Sequence, residues 1–478
     1  MSNTMEEGRT TTPDAWQTDR RSPVSDRRVI IEQVRPQIDG GRFAPKRTPG
    51  EAVEVSARIF ADGHDVLRAV VRHGPKGSSD ASQVTTTEME LVDRGADLWR
   101  AGFTVSTLGW HEFTIVAWVD RFETWRRDVR IKAAAGQAVD LELLEGALLV
   151  RQAGERLNDD GDEAIDRDWL FLQADLLGDG QSDVDRVGVA VSTELESLMH
   201  RHADRPQPTT SGPFPLWVDR ERARVGAWYE FFPRSATPDP SRSATFREAS
   251  TWLPRIADLG FDVVYLPPIH PIGRSFRKGR NNTLTALAGD PGSPWAIGSE
   301  AGGHDAVDPA LGTVDDFLAF RRAAERLGLE VALDLAWQCS PDHPWVRTHP
   351  EWFRHRPDGT IKYAENPPKR YQDIYPLDFT CEPWRELWNA LLDVTLLWVE
   401  RGVRIFRVDN PHTKSLDFWG WLIREVQSRD PGVIFLSEAF TRPAVMHYLA
   451  KVGFTQSYTY FTWRNTRDEI TDYLLELS

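Results

Sequence analysis

The chain comprises 478 residues, 27% of them charged, and carries a formal net charge of −15. That length accommodates roughly two to four domains with full-sized cores, and the acidic balance argues against nucleic acid or an anionic membrane as the main partner. Two cysteines, Cys339 and Cys381, make no disulfide framework, the opening residues lack an apolar signal core, and no apolar run is long enough to span a bilayer. The cytoplasm is the expected compartment.

Residues 1–27 are polar and aperiodic and read as a disordered tail. Across residues 28–134 the apolar period is two: Val53, Val55, Ala57 and Ile59 alternate with polar residues, and Phe113, Ile115, Ala117 and Val119 do similarly. Gly and Asp punctuate these runs at Asp62-Gly63, Gly74 and Gly109, the spacing of short strands in a β-sandwich. Residues 135–205 change to helical spacing through Leu141, Leu144 and Leu148, then Trp169, Leu172 and Leu176, then Leu195, Leu198 and Met199. A helical insert of about three helices is expected there. The Pro-, Thr- and Ser-containing stretch 206–215 predicts a linker.

From residue 216 to 478, β and α segments alternate, the pattern of a (β/α)8 TIM-type barrel. Strands are expected over 225–232, 261–266 and 331–335, with Leu253, Ile256 and Leu259 on the first intervening helix. Thr313 and Asp316 form a capping box, and the helix they open closes at Gly328. Segment 340–378 is too long and polar for an ordinary connection and predicts a functional lobe. Leu387, Leu391, Val394 and Trp398 mark the next helix, ended by Gly402; a sixth strand is expected over 456–461, and Thr466 with Glu469 caps a sixth helix. Six βα units of a barrel that closes with eight are thus expected, an α/β fold whose barrel is incomplete within this chain.

The chemistry concentrates between Gly402 and Glu438. Val403 to Asp409 and Val433 to Glu438 are apolar runs of strand length that each stop on a carboxylate, and Leu416, Trp419, Ile423 and Val426 recur between them at helical spacing. In a β/α barrel the carboxyl ends of the strands share one rim, where active sites are built. A carboxylate ending a strand is most often an ordinary loop charge. Two in succession, with Arg407 on the same strand face as Asp409, suit glycosyl transfer, which needs one acid ionised and one able to carry a proton. Arg407 can hold a neighbouring carboxylate ionised and oriented, and so would orient Asp409.

These residues resemble the α-amylase superfamily, glycoside hydrolase family 13. Asp334-Leu335-Ala336 matches its first conserved block, Arg407-Val408-Asp409 its nucleophile block and Ser437-Glu438-Ala439 its acid/base block. The chain departs from an ordinary amylase at Gln338-Cys339, where Asn-His stands, and at Asn410, where a small residue follows the nucleophile. With Arg277 to Asn282, Gln338 to His343 and Asn366 to Asp373, it resembles the bacterial α-1,4-glucan:maltose-1-phosphate maltosyltransferase family. That resemblance implies transfer of a maltosyl unit from α-maltose 1-phosphate to the non-reducing 4-hydroxyl of α-1,4-glucans, in α-glucan (glycogen) biosynthesis. It also implies a homodimer and no cofactor or metal.

The resemblance further implies Asp409 as nucleophile and Glu438 as proton donor and base. Lys278, Gln338, Asp373 and Asn410 would bind the substrate, and Asn366, Lys369, Tyr371 and Asn410 would form a phosphate pocket. A dianionic leaving group needs cations and hydrogen-bond donors within reach, which this set supplies. Taken singly, Asn366 and Lys369 also fit a solvated loop, Lys278 an exposed basic run, and Gln338 a satisfied core amide. Cys339 fits packing better than nucleophilic chemistry, and His304 and His343 carry no assigned role. The superfamily's third carboxylate follows the seventh strand; Asp468 and Asp472 fall in the sixth helix, so it is expected to be absent here, and the activity of the chain alone is expected to suffer. An α-glucan hydrolase, or a non-catalytic glucan-binding or assembly protein, are the alternatives.

Overall fold

The computed structural model describes residues 27–78, 80–179 and 182–477; the tail expected over residues 1–27 lies, Arg27 excepted, outside them. Eight strands come first: β1 (Val29–Arg35), β2 (Lys46–Arg47), β3 (Ala52–Ala61), β4 (Leu67–Pro75), β5 (Thr85–Glu88), β6 (Glu90–Asp93), β7 (Leu98–Thr104) and β8 (Gly109–Val119). Five helices follow: α1 (Arg121–Ala134), α2 (Asp140–Glu155), α3 (Gly161–Asp179), α4 (Asp183–Ala190) and α5 (Thr193–Arg201). The chain then returns as β9 (Thr209–Val218).

The strands form two sheets, ordered β1-β3-β7-β6 and β2-β9-β8-β4-β5. Alternation decides what lies between them: Val53, Val55, Ala57 and Ile59 of β3 share one buried cluster with Ala69 and Val71 of β4 and Phe113, Ile115 and Ala117 of β8. Three expectations need correction here. Residues 121–134, read as strand territory, are helix α1, opened by Asp120, whose side chain accepts from Glu123 N. Stretch 206–215, read as a linker, is mostly β9, which pairs with β8 through a register shift between Phe113 and Ile115. The shift accommodates a Pro-containing segment that composition alone assigns to a loop.

The third correction concerns the helical faces. Leu141, Leu144 and Leu148 are 67, 47 and 60% exposed, and Leu172 and Leu176 are exposed too. The buried face of α2 is instead Leu143, Gly146, Ala147, Val150, Ala153 and Gly154. Small residues were the signal, because they let neighbours approach closely. A Cβ on Gly146 would stand 1.9 Å from Trp125 Cζ2, and one on Gly154 2.9 Å from Phe171 Cε1.

After β9 the chain builds a second sheet system from β10 (Trp228–Glu230), α6 (Phe246–Ala249), α7 (Leu253–Asp258), β11 (Val263–Leu266), α8 (Val314–Arg326) and β12 (Glu330–Leu335). A lobe follows, with β13 (Gln338–Cys339), α9 (Pro344–Thr348), β14 (Ala364–Asn366), β15 (Lys369–Tyr371) and β16 (Tyr375–Pro376). The last elements are α10 (Trp384–Glu400), β17 (Ile405–Asp409), α11 (Leu416–Arg429), β18 (Ile434–Glu438), α12 (Pro443–Val452), β19 (Gln456–Ser457) and α13 (Arg467–Leu477). The sheet order β10-β11-β12-β17-β18-β19 follows the chain without reversal, and every pair is parallel. Strands added always on one side, with helices between, are barrel topology rather than a doubly wound sheet. The sixth strand is shorter than expected: two residues pair, and Tyr460–Trp463 is a 3-10 turn. The lobe is two small antiparallel pairs, β13 with β16 and β14 with β15.

The two faces of this sheet bury different clusters. Phe406 and Val408 of β17, Leu333 and Leu335 of β12 and Phe435 of β18 join the large core under the helices. Val263, Tyr265, Ala332, Ile405 and Ile434 form a small inner cluster. Position parity therefore sends Tyr265, Asp334, Arg407, Asp409 and Glu438 to the inner face, at the carboxyl ends of their strands. Among the described residues, no helix is long and apolar enough to cross a membrane.

The packing of α2 predicts the behaviour of Gly146→Ala. Alanine adds about 1 kcal/mol of helix propensity, but the methyl has no room against the Trp125 ring, and overpacking costs about 1–3 kcal/mol. Thermal melts should show a lower midpoint; a midpoint above that of the unsubstituted chain would contradict the close approach.

Candidate active site

β17 and β18 pair in register, with Asp409 opposite Glu438, while on the other side Arg407 stands opposite Asp334 of β12. Arg407 Nη1 donates to Asp334 Oδ2 at 2.9 Å and Asp409 Oδ1 at 3.0 Å, and Nη2 lies 2.7 Å from Glu438 Oε1. One buried guanidinium thus serves three carboxylates. Tyr265 Oη and Trp295 Nε1 donate to the same Asp334 Oδ2, at 2.6 and 3.3 Å. The sequence-derived trio Asp409, Glu438 and Arg407 is therefore brought together. Asp334, Tyr265 and Trp295 join it; strand parity could have found the first two, whereas nothing periodic marks Trp295.

The one guanidinium bonded to them cannot by itself hold three buried acids ionised. Burial drives the Asp334 carboxyl up to about 7, against the pull of Arg407 and with help from the nearby Asp409. Burial also raises Glu438; Arg407 opposes the rise and the proximity of Asp409 adds to it. Arg407 is raised as well: burial would lower it, but Asp334, Tyr265, Glu438 and Asp409 together outweigh that, so it stays charged. Glu438 is thereby suited to carry a proton. Its Oε2 is buried with no hydrogen-bond partner, as is Asp334 Oδ1, so each has capacity for a donor from outside.

Above these groups lies a cavity of about 950 Å³. Lys278, Gln338, Asn366, Tyr371, Asp373, Asp409 and Asn410, all singled out from sequence, line it. Lys369 does not: it pairs with Asn366 across the β14–β15 hairpin and is exposed there. Lys278 Nζ stands 3.9 Å from Asp373 Oδ1, both side chains nearly inaccessible, and that oxygen has no hydrogen-bond partner. Burial raises the Asp373 carboxyl, opposed by a backbone hydrogen bond and by Lys278. Gln338 Nε2 donates to Trp295 O at 3.4 Å. Trp295, Trp337, Tyr363 and Phe379 add aromatic surface to the lining, and ring faces of this kind pack against the apolar side of a sugar.

Two buried histidines, His304 and His343, form a pair beside the lobe. His343 Nδ1 accepts from Trp345 N at 3.0 Å, which leaves Nε2–H to donate to His304 Nδ1 at 3.1 Å; His304 Nε2 in turn donates to Ala336 O at 2.9 Å. Burial holds His304 down at about 4 and His343 at about 2, so both are neutral. His304, Cys339 and His343 do place ligand atoms within 4.8 Å of one another. Every ring nitrogen of the pair is already engaged, and burial keeps the Cys339 thiol protonated, so packing accounts for the cluster. A Cβ on Gly298 or Gly303 would stand 2.3 or 2.4 Å from the His343 ring, which explains glycine at both.

The raised Asp334 carboxyl makes a pH prediction. It binds a proton in the folded chain at pH values where the unfolded chain has released it, so stability falls as pH rises from about 4 towards 7. The slope from this group is at most about 1.4 kcal/mol per pH unit. Denaturant midpoints across that range should flatten in Asp334→Asn; an undiminished slope would mean other groups carry the dependence.

A family model described as "Alpha-1,4-glucan:maltose-1-phosphate maltosyltransferase, domain N/S" matches residues 27–220. Curated relatives named alpha-1,4-glucan:maltose-1-phosphate maltosyltransferase cover nearly all the chain. That of Chlorobaculum tepidum is 50% identical over 95% of this chain and 66% of its own length. One from Cereibacter sphaeroides is 52% identical over 95% and 75%, and that of Myxococcus xanthus 52% identical over 94% and 67%. The chain spans about two thirds of the length of most of these relatives. Among solved structures, an alpha-amylase from Lactobacillus plantarum is 28% identical, with a TM-score of 0.43, over 54% of this chain and 60% of its own. On the identity and span of the curated relatives, the chain belongs to the α-1,4-glucan:maltose-1-phosphate maltosyltransferase family.

Proposed function

We propose that the full-length protein transfers a maltosyl unit from α-maltose 1-phosphate to the non-reducing 4-hydroxyl of an α-1,4-glucan, with retention. The observation that carries this reading is the Arg407 cluster, with Asp409 and Glu438 bonded to one guanidinium at 3.0 and 2.7 Å. Asp409 attacks the anomeric carbon as the bond to phosphate breaks and Glu438 gives its proton to the leaving oxygen, leaving a β-maltosyl ester. Glu438 then takes the proton of the acceptor hydroxyl, whose oxygen attacks the same carbon and frees Asp409. Asn366, Tyr371 and Asn410, which all line the cavity, supply donors to the phosphate. Lys369, two residues before Tyr371 on β15, is assigned to the same role. Lys278, Gln338 and Asp373 hold the sugar hydroxyls, and the unpartnered Asp373 Oδ1 supports this, since burying an acceptor without a donor costs about 1–3 kcal/mol.

α-Maltosyl fluoride, which needs little acid assistance, separates the roles. Asp409→Ala should form no adduct, while Glu438→Ala should accumulate a maltosyl ester visible by intact-mass spectrometry. Tyr371→Phe and Lys369→Ala should lower turnover of maltose 1-phosphate at least about tenfold more than that of the fluoride. An adduct on the Asp409 variant, or equal losses on both donors, would sink the assignment.

The protein is further proposed to be a cytoplasmic homodimer. Both cysteines are free and buried, as suits a reducing compartment. The exposed Leu141, Leu144 and Leu148 of α2, with Leu172 and Leu176 of α3, are large apolar groups of the kind subunit interfaces cover. Leu144→Asp with Leu148→Asp should convert a sedimenting dimer to monomer; an unchanged sedimentation coefficient would place any interface elsewhere.

A further inference from the structure

Asn410 follows Asp409 at the cavity wall in a left-handed conformation, φ 44° and ψ 55°, which costs a non-glycine residue roughly 1 kcal/mol or more. Something must hold it. Thr413 N and Oγ1 donate to Asn410 O at 3.1 and 2.8 Å. Lys414, which also lines the cavity, reaches back with Nζ to Asp409 O at 3.0 Å and Asn410 O at 3.2 Å. Lysine is an unusual choice for this task, because a neutral donor could bond the same carbonyls. Its charge is the part left to explain.

We propose that Lys414 is a positioning residue of the transfer reaction, pinning the Asp409–Asn410 turn while placing a second positive charge beside the acid cluster. The inference rests on the maltosyl-transfer reading for the identity of the reaction, though not for the geometry. Charged and titratable groups turned towards Lys414 are Asp409 and Arg407 on β17, Asp334 on β12, Glu438 on β18 and His412 on the intervening turn. Arg407 is already shared by three carboxylates, so its charge is divided. Burial lowers the Lys414 ammonium, and Asp409, Asp334 and Glu438 pull it back in that order. Lys414 therefore acts on the whole cluster while bonding to carbonyls, and itself takes up no carboxylate oxygen. Holding the turn also fixes the side chain of Asn410, the residue beside the leaving group.

The test is the pH profile of kcat/KM for α-maltosyl fluoride in the full-length protein, read for the native enzyme, Lys414→Met and Lys414→Arg. Methionine keeps the length and removes the charge, so the acidic limb of the profile should move up by about one pH unit. Arginine keeps the charge with altered reach, so kcat should fall while the limb stays in place. A limb unmoved in Lys414→Met, or displaced equally in Lys414→Arg, would overturn the proposal, since a merely structural lysine lowers the rate at every pH alike. If Lys414→Met turns over too slowly to profile, Lys414→Gln, which also removes the charge, is read in its place, and a limb unmoved there would overturn the proposal. Native enzyme that releases fluoride, yet no phosphate from maltose 1-phosphate, would refute the donor assignment alone; the fluoride profiles would still decide for Lys414.

Discussion

Arg407 holds Asp334, Asp409 and Glu438 through two nitrogens of one buried guanidinium, and the chemistry of the site follows from that shortage of positive charge. A separate cation for each acid would leave all three ionised and no proton to give. With the charge shared, Asp334, which burial reaches most fully, goes up to about 7, and Glu438 is raised as well. Removing Arg407 would strand three buried acids, a far larger penalty than loss of any single surface pair.

That arrangement depends in turn on the register of a parallel sheet. Asp409 meets Glu438, and Arg407 meets Asp334, because β17 pairs in register with β18 on one side and β12 on the other. A slip of one residue would turn Arg407 and Asp409 into the apolar layer under the helices and bring Phe406 and Val408 inward. The buried aromatic layer that includes Phe406 and Phe435 therefore fixes the register as firmly as any polar contact in the site.

Among the described residues the N-terminal sandwich contributes none to the cavity lining, but it is tied to the barrel helices. Lys46 of β2 donates to the carbonyls of Ala450 and Phe454 at the end of α12, where the helix dipole favours a cation, and Lys451 pairs with Asp39 at 2.8 Å. Arg220, just past β9, pairs with Glu330 at the start of β12 at 2.6 Å. The strand that composition presents as a linker is thus the element that connects sandwich to barrel.

Much of the barrel and its acids was legible because the relevant signals are local. Apolar runs of strand length ending in Asp409 and Glu438 mark strands and their carboxyl ends, Arg407 two residues upstream shares a face by backbone geometry, and the Thr313–Asp316 capping box forms as its spacing implies. What the tertiary structure alone decided are matters of proximity between distant segments. Strand parity puts Asp334 and Tyr265 on the inner face, but their convergence on Arg407 is set by the pairing of β11, β12 and β17, and Trp295 arrives from a loop with no periodic mark. The left-handed turn at Asn410 and its clasp by Lys414 depend on backbone angles that no side-chain pattern encodes. The helical insert went astray for a related reason: large leucines carry the stronger hydrophobic signal, but Gly146, Ala147, Ala153 and Gly154 permit close approach, and packing distance rather than side-chain size chose the buried face of α2.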